Sequence, residues 1–202
     1  MRLGMNLAFA ELLALLVSQN LCAQGVETSE ANETSRHFLS LQWIGFTYHP
    51  DGGDFPELYP WKIDEQGYGV FEIGLGTKYD YQFRGRYFIR ASIAYYKDCA
   101  FVDAGYLHLG LRAGILNKGR HSINAGLGPT LLLREDWHKF DEYAGDEFYG
   151  DRVTGEWQYR FILYAAELEY LCRFNDRYEF QYSLVPGYPA VLTSFVGMRF
   201  KL

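Results

Sequence analysis

Three side chains that could take part in proton transfer or nucleophilic attack lie at the ends of predicted strands. His49 ends the first predicted strand, and Asp98 and Cys99 follow the third. Imidazole and carboxylate groups can act as general acids or bases, and a thiol can act as a nucleophile. Because only one strand separates the first from the third, we expect the three residues on one rim. The alternative is that they are ordinary surface residues, since His and Asp are common in loops.

The acidic segment 134–156 is a second candidate site, because its carboxylates could bind a divalent cation. They follow no recognised ligand spacing, so a solvated external loop is the favoured interpretation. The sequence has no G-x-S-x-G, H-E-x-x-H or C-x-x-C motif. We therefore predict neither a metal site nor a cofactor.

The composition narrows the class of protein before any element is assigned. The 202 residues fit one domain or at most two, and the net charge of −6 argues against nucleic acid as a partner. Charged residues make up 22% of the chain, too many for a helical membrane protein, and aromatic residues make up 18%, too many for a disordered chain. An aromatic-rich, glycine-rich chain with interleaved polar residues is typical of a β-barrel that faces lipid outside.

The N-terminal segment predicts export. Residues 1–23 combine Arg2 with the apolar run 7–17, which is too short for a membrane-spanning helix, and cleavage is expected after Ala23. The polar residues 24–37 are interpreted as a flexible lead-in. The signal sequence predicts that the mature chain leaves the cytoplasm.

The export signal also bears on the two cysteines of the mature chain, Cys99 and Cys172. In an exported protein the ordinary expectation for two cysteines is a disulfide. The topology predicted below places them at opposite ends of a barrel, so we expect two free thiols.

Period-two alternation begins at residue 38 and predicts an all-β fold, an eight-stranded antiparallel up-and-down transmembrane β-barrel over 38–202. In one strand Leu107, Leu109 and Leu111 share a face opposite Arg112. A soluble sandwich could also alternate, but it rarely needs strands this long. The predicted strands are 38–49, 67–80, 86–97, 104–116, 121–133, 157–174, 178–186 and 190–202.

The connections after the even strands are all short, whereas two of the four after the odd strands are long and two, around 98–103 and 187–189, are short. Short turns are predicted at 81–85, 117–120 and 175–177, whereas 50–66 and 134–156 are long. Outer-membrane barrels have short periplasmic turns and longer external loops. The pattern therefore predicts a location in the outer membrane of a Gram-negative-type bacterium. Small barrels of this kind can act as monomers.

The predicted inner face allows two interpretations. Small inward residues would leave room for one slender ligand, whereas inward charges could pair into a polar plug beneath an apolar pocket or fill the barrel entirely. The small residues are Gly74, Gly76, Ser92, Ala94, Gly110, Gly114, Gly126 and Gly128. The polar and charged residues are Arg90, His108, Arg112, Glu167 and Glu169.

Several short blocks, in a fixed order over residues 46–202, resemble the lipid A palmitoyltransferases of the outer membrane (the PagP family). The last block, Met198–Leu202, resembles that family's C-terminal Met-Arg-Phe-Gln-Phe. The other blocks are Phe46-Thr47-Tyr48-His49, Pro60-Trp61, Tyr95-Tyr96-Lys97-Asp98-Cys99, Gly105-Tyr106, Arg134-Glu135-Asp136-Trp137, Phe180-Gln181 and Pro186-Gly187.

The resemblance implies an acyltransferase that moves a palmitoyl-like chain from a phospholipid to lipid A without a cofactor. The family's catalytic His, Asp and Ser fall on His49, Asp98 and Cys99, so a thiol replaces the hydroxyl. A second register pairs Trp43 with a family Trp and places Ile44 where the His belongs. Either register leaves Asp98 in its family position.

Pro186 is the remaining site residue that the resemblance implies. In the family such a proline weakens pairing between strands and opens a lateral route for lipid, and a proline cannot donate to a strand ladder. Alternatively, Pro186 only starts the following loop.

The leading hypothesis from the sequence is an outer-membrane acyltransferase that moves an acyl chain from phospholipid to lipid A. The alternatives are a non-enzymatic structural or adhesive barrel and another lipid-acting enzyme on the same scaffold. The enzyme hypotheses require His49 and Asp98 to converge above an apolar cavity. The non-enzymatic hypothesis predicts a filled interior.

Overall fold

The computed structural model describes residues 36–49, 55–144, 153–154, 156–187 and 191–202. The predicted signal sequence 1–23 and most of the predicted lead-in lie outside these residues, although His37 already belongs to the first strand. Among the described residues, no helix has the length and apolar character needed to cross a membrane.

Eight long antiparallel strands form a closed barrel, as predicted. Each strand pairs with the next along the chain, and the first pairs with the last from Phe38 opposite Lys201 to Tyr48 opposite Leu192. Closure removes both sheet edges, which a membrane-spanning sheet requires. The strands are β1 His37–Tyr48, β2 Ile73–Arg84, β3 Tyr87–Lys97, β4 Asp103–Lys118, β5 His121–Glu135, β6 Trp157–Arg173, β7 Tyr178–Gly187 and β8 Val191–Lys201.

One end of the barrel, the turn end, carries three tight turns between β2 and β3, β4 and β5, and β6 and β7. Gly85 and Gly119 have φ of 48° and 62°, a backbone conformation that glycine adopts without a Cβ clash. In the third turn Asn175 accepts hydrogen bonds from the N–H groups of Arg177 and Tyr178, at 2.9 and 3.0 Å. The opposite end, the loop end, carries the longer connections.

The predicted second strand, 67–80, was wrong at both ends. Asp64 accepts hydrogen bonds from the N–H groups of Tyr68 and Gly69 at 2.9 and 2.7 Å, and Gly67 has φ of 71°. This turn prevents a strand from starting at residue 67, and only Gly69–Val70 forms a short strand against β1. At the other end β2 continues to Arg84, because the chain reverses at Gly85 rather than over 81–85.

The outer wall is a belt of exposed apolar side chains that alternate with buried polar ones. In β1, Leu41 and Trp43 are exposed, whereas Ser40 and Gln42 are buried. This arrangement is that of a barrel whose outer surface contacts lipid. The belt includes Leu39, Leu75, Tyr79, Ile89, Ile93, Leu107, Leu109, Leu111, Phe161, Leu163, Leu168 and Val196.

Paired charges fill the half of the barrel nearer the turn end. The guanidinium of Arg90 donates to both oxygens of Asp80 at 2.7 Å and to Glu167 and Glu169 at 2.6 and 2.9 Å. Arg112 pairs with Asp80 and Glu169, and further pairs join Lys78 to Glu167 and Arg199 to Glu179. The predicted inward positions and their pairing are therefore confirmed.

Above the paired charges, an apolar layer fills the barrel toward the loop end. Ile44, Ala94 and Phe195 are buried there, with Tyr96, Tyr106 and Val185 packed around them. The ammonium of Lys78 lies 5.4 Å from the centre of the Phe195 ring, so the two layers are in contact.

Some of the inward glycines lie directly against neighbouring side chains. A Cβ on Gly126 would lie 2.6 Å from Cγ of Arg112, and one on Gly110 would lie 2.5 Å from Nε2 of His108. A groove of about 590 Å³ is lined by outer-wall residues such as Leu109 together with inner-face residues such as Lys78, and a second of about 710 Å³ lies between Trp43 and the β1–β2 connection. Cys99 and Cys172 are free thiols, as expected.

Candidate functional site at the loop end of the barrel

Asp98 connects two loops at the loop end. It follows β3 directly, and one carboxylate oxygen accepts hydrogen bonds from the N–H groups of Ala100 and Val102 at 3.0 and 3.1 Å. Its other oxygen accepts the indole N–H of Trp137, from the β5–β6 connection, at 2.9 Å. Burial raises the pKa of Asp98 to about 6, although these hydrogen bonds act in the opposite direction.

Cys99 lies in an apolar cluster, which we call the cap, formed by Tyr59, Val70, Cys99, Val102 and Trp137. The cap joins residues from three connections at the loop end. Burial raises the pKa of the Cys99 thiol well above its ordinary value. Because the thiolate is the nucleophilic form, a neutral buried thiol is poorly suited to attack a substrate.

His49 follows β1 and lies beside the cap. Its backbone N–H donates to the carbonyl of Tyr68 at 2.7 Å, and its ring centre lies 5.5 Å from that of Tyr59. Burial lowers its pKa, which favours the neutral imidazole. Among the described residues its Nε2 is buried without a hydrogen-bond partner.

The three predicted catalytic residues thus share one end of the barrel but do not form a hydrogen-bonded set. Asp98 and Cys99 are consecutive, and Tyr59 of the cap contacts the His49 ring. Within the described part of the chain, no hydrogen bond joins His49 to Asp98, and no group of three or more His, Cys, Asp or Glu residues could hold a metal ion.

Glu72 is a buried carboxyl that sequence reasoning missed. Burial raises its pKa to about 8, a hydrogen bond with Thr47 acts against that rise, and the nearby Asp98 charge adds to it. Its Oε2 has no hydrogen-bond partner among the described residues. The sequence contains a signal for this burial, because Glu72 lies between the apolar residues Phe71 and Ile73 and two positions after Val70. In the structure Phe71 and Ile73 are exposed and Val70 is buried.

Pro186 lies near the loop end of β7, opposite Leu192 of β8. On its other side, pairing between β6 and β7 runs only as far as Leu168 opposite Leu184. The described residues beyond this pair form no ladder, while β6 stays paired with β5 up to Trp157. The β6–β7 seam is therefore unpaired around Pro186, which has no N–H to donate.

Comparison with known proteins gives neither a family match nor a match among curated proteins. Among solved structures, the attachment invasion locus protein Ail of Yersinia pestis is 13% identical with a TM-score of 0.45, over 83% of this chain and 99% of Ail. The N-terminal β-barrel domain of Pseudomonas aeruginosa OprF is 10% identical with a TM-score of 0.46, over 83% and 98%. Neisserial surface protein A is 9% identical with a TM-score of 0.44, over 85% and 100%.

Similarity at this level carries no information on activity or partners. None of the three is a lipid A palmitoyltransferase, so the resemblance to that family remains a prediction. The closed sheet, the apolar belt and the paired interior charges make this chain an eight-stranded β-barrel of the outer membrane.

Proposed function

We propose that the protein is a non-enzymatic outer-membrane barrel that holds its loop-end surface outside the cell, in a structural or adhesive role. The observation that supports this function is the filled interior. Ile44 and Phe195 are buried above a layer of paired charges that includes Arg90 and Glu169.

An acyl-chain enzyme of this size needs interior volume that this chain gives to its own side chains. Eight strands enclose a space just wide enough for side chains or for one small ligand. Here the small residues face neighbouring side chains, as Gly126 faces Arg112, and the next layer is apolar and closely packed. A filled barrel is suited to a stable anchor.

The loop end has features of a binding surface. The exposed rings of Trp61 and Phe101 meet edge to face with centres 4.7 Å apart, and the buried cap lies close by. Exposed aromatic side chains on a fixed framework are common in protein interfaces. Exposed carboxylates such as Glu57 and Glu142 favour a basic partner.

The test of an adhesive role is attachment of cells that display the protein to a surface coated with a basic protein. The double variant Trp61→Ala/Phe101→Ala should lower attachment several-fold. The matched control is Tyr164→Ala, which removes an exposed ring from the outer wall and should leave attachment unchanged. Equal attachment by all three proteins would contradict an adhesive role through this surface.

A second candidate, the acyltransferase, is favoured by the unpaired β6–β7 seam at Pro186 and by unpartnered buried atoms at the loop end. Lipid would enter through the seam from the outer leaflet, and lipid A would accept the acyl chain. His49 and Asp98 would organise proton transfer, with Cys99 beside them. The raised pKa of Cys99 and the filled interior weigh against this function.

Mass spectra of outer-membrane lipids separate the two candidates. The expected result is an unchanged lipid profile in cells that contain the folded protein. An additional acyl chain on lipid A, absent with His49→Phe, would establish the acyltransferase instead. Phenylalanine keeps an aromatic ring beside Tyr59 while removing both ring nitrogens, so the cap is preserved.

A further inference from the structure

The three tight turns share a chemical feature that the proposed function does not use. Each turn carries two basic side chains, one on either side of its reversal. They form what we call the basic turn ring: Arg84, Arg86, Lys118, Arg120, Arg173 and Arg177.

The charges of the basic turn ring are largely uncompensated. Among the described residues, Arg173 is the only member of the ring with a carboxylate partner within 4 Å. Its Nε lies 3.7 Å from a carboxylate oxygen of Glu179. That carboxylate is held more closely by Arg199, at 2.9 Å. The three turns, which are all described, contain only one acidic residue, the exposed Asp176. The ring therefore presents several free cations.

The ring lies where the apolar belt ends. Phe83 precedes Arg84, Leu116 is two residues from Lys118, and Phe174 follows Arg173, and these apolar side chains are 42–56% exposed. Side chains beside a lipid-facing belt lie at the level of the lipid headgroups. The position of the basic turn ring at this level therefore favours a lipid, rather than a soluble anion, as its ligand.

The loop end has the opposite charge character, so the ring is not a general property of the surface. Exposed Glu57, Glu65, Asp141 and Glu142 lie there, and Lys97 and Lys139 are paired with Asp103 and Glu135. An anionic lipid is therefore attracted mainly at the turn end.

We propose that the basic turn ring binds the phosphate headgroups of anionic glycerophospholipids in the membrane leaflet at the turn end. Guanidinium groups bind phosphate oxygens through two parallel hydrogen bonds, and five of the six residues are arginines. A single cation near an anionic membrane surface favours anionic lipid by about fivefold. Several cations acting together should give an enrichment of at least about tenfold. This inference does not depend on the adhesive role.

The test is native mass spectrometry of the protein released from vesicles with equal amounts of phosphatidylglycerol and phosphatidylcholine. The ring variant changes all six residues to glutamine. The matched control, Lys62→Gln/Lys139→Gln, removes cations at the loop end. We expect the native protein and the control to retain phosphatidylglycerol at least about tenfold over phosphatidylcholine, and the ring variant to retain both equally.

Two further measurements test the proposal if the ring variant fails to fold and distinguish a lipid from a soluble phosphate. If the ring variant does not fold, as judged by gel mobility, Arg84→Gln/Arg86→Gln alone should lower the enrichment at least about twofold. Soluble glycerol phosphate at the concentration of the anionic lipid should not displace the lipid. Native-like enrichment in the ring variant, equal retention by the native protein, or displacement by glycerol phosphate would each overturn the proposal.

Discussion

Removing Arg90 should be among the most damaging single changes to the barrel interior. Its guanidinium makes four charge-assisted hydrogen bonds, two to Asp80 and one each to Glu167 and Glu169. Arg90→Met keeps an unbranched side chain but leaves three buried carboxylates with fewer partners. Breaking a buried ion pair by removing one member costs about 3–5 kcal/mol, because the remaining charge stays buried. We expect the free energy of unfolding to fall by about that amount.

The assay is a urea titration in phosphatidylcholine vesicles, followed by tryptophan fluorescence and gel mobility. Arg84→Met is the matched control, because this exposed arginine has no carboxylate partner among the described residues, and it should change stability by less than about 0.5 kcal/mol. Combining Arg90→Met with Asp80→Asn should cost less than the sum of the single changes, since the two residues are in contact. Equal stability of Arg90→Met and Arg84→Met would refute the idea that paired charges hold the interior together.

Other consequences of the packing and of the buried groups can be measured separately. Gly126→Ala should lower the free energy of unfolding by about 1–3 kcal/mol, because the new Cβ would lie 2.6 Å from Cγ of Arg112. Gly114→Ala should cost less, because the nearest atoms to its new Cβ lie at 3.4 Å. Equal costs for the two variants would contradict the close packing around Gly126. The pKa of Glu72 is raised by burial from 4.5 to about 8, so its stabilising effect is complete below pH 4.5 and is lost as pH rises through 8. Glu72→Gln should remove that part of the pH dependence in unfolding titrations, and an unchanged profile would exclude Glu72 as its source. Iodoacetamide should modify Cys99 only after unfolding, as followed by mass spectrometry, because the thiol is buried and neutral; modification of the folded protein would contradict its place in the cap.

The sequence was sufficient to predict the barrel, because period-two alternation and turn residues are local signals. Seven of the eight predicted strands overlap the observed ones within about two residues at each end, and the inward charges were identified from alternation alone. The second strand failed because the Asp64 turn depends on side-chain hydrogen bonds across several residues, which alternation does not detect.

The interior volume could not be predicted from residue sizes. Gly110 and Gly126 suggested open space, but a small residue leaves a cavity only if its neighbours do not occupy the gap. Those neighbours, such as Arg112, come from the same or the adjacent strand, and the conformations of their side chains depend on the ion pairs across the barrel. Glu72 was missed although it alternates with Phe71 and Ile73, because its environment includes groups distant in sequence, such as Thr47 and Asp98.

The central claim, that the barrel is filled by its own side chains, is tested most directly by nuclear Overhauser contacts between lipid acyl chains and methyl groups. Ile44 faces the interior and has no exposed surface, whereas Leu41, three residues earlier on the same strand, is 51% exposed on the outer wall. A filled barrel predicts contacts from acyl methylene protons to the methyl groups of Leu41 and none to the methyl groups of Ile44. Acyl-chain contacts to the methyl groups of Ile44 would place lipid inside the barrel and contradict the claim.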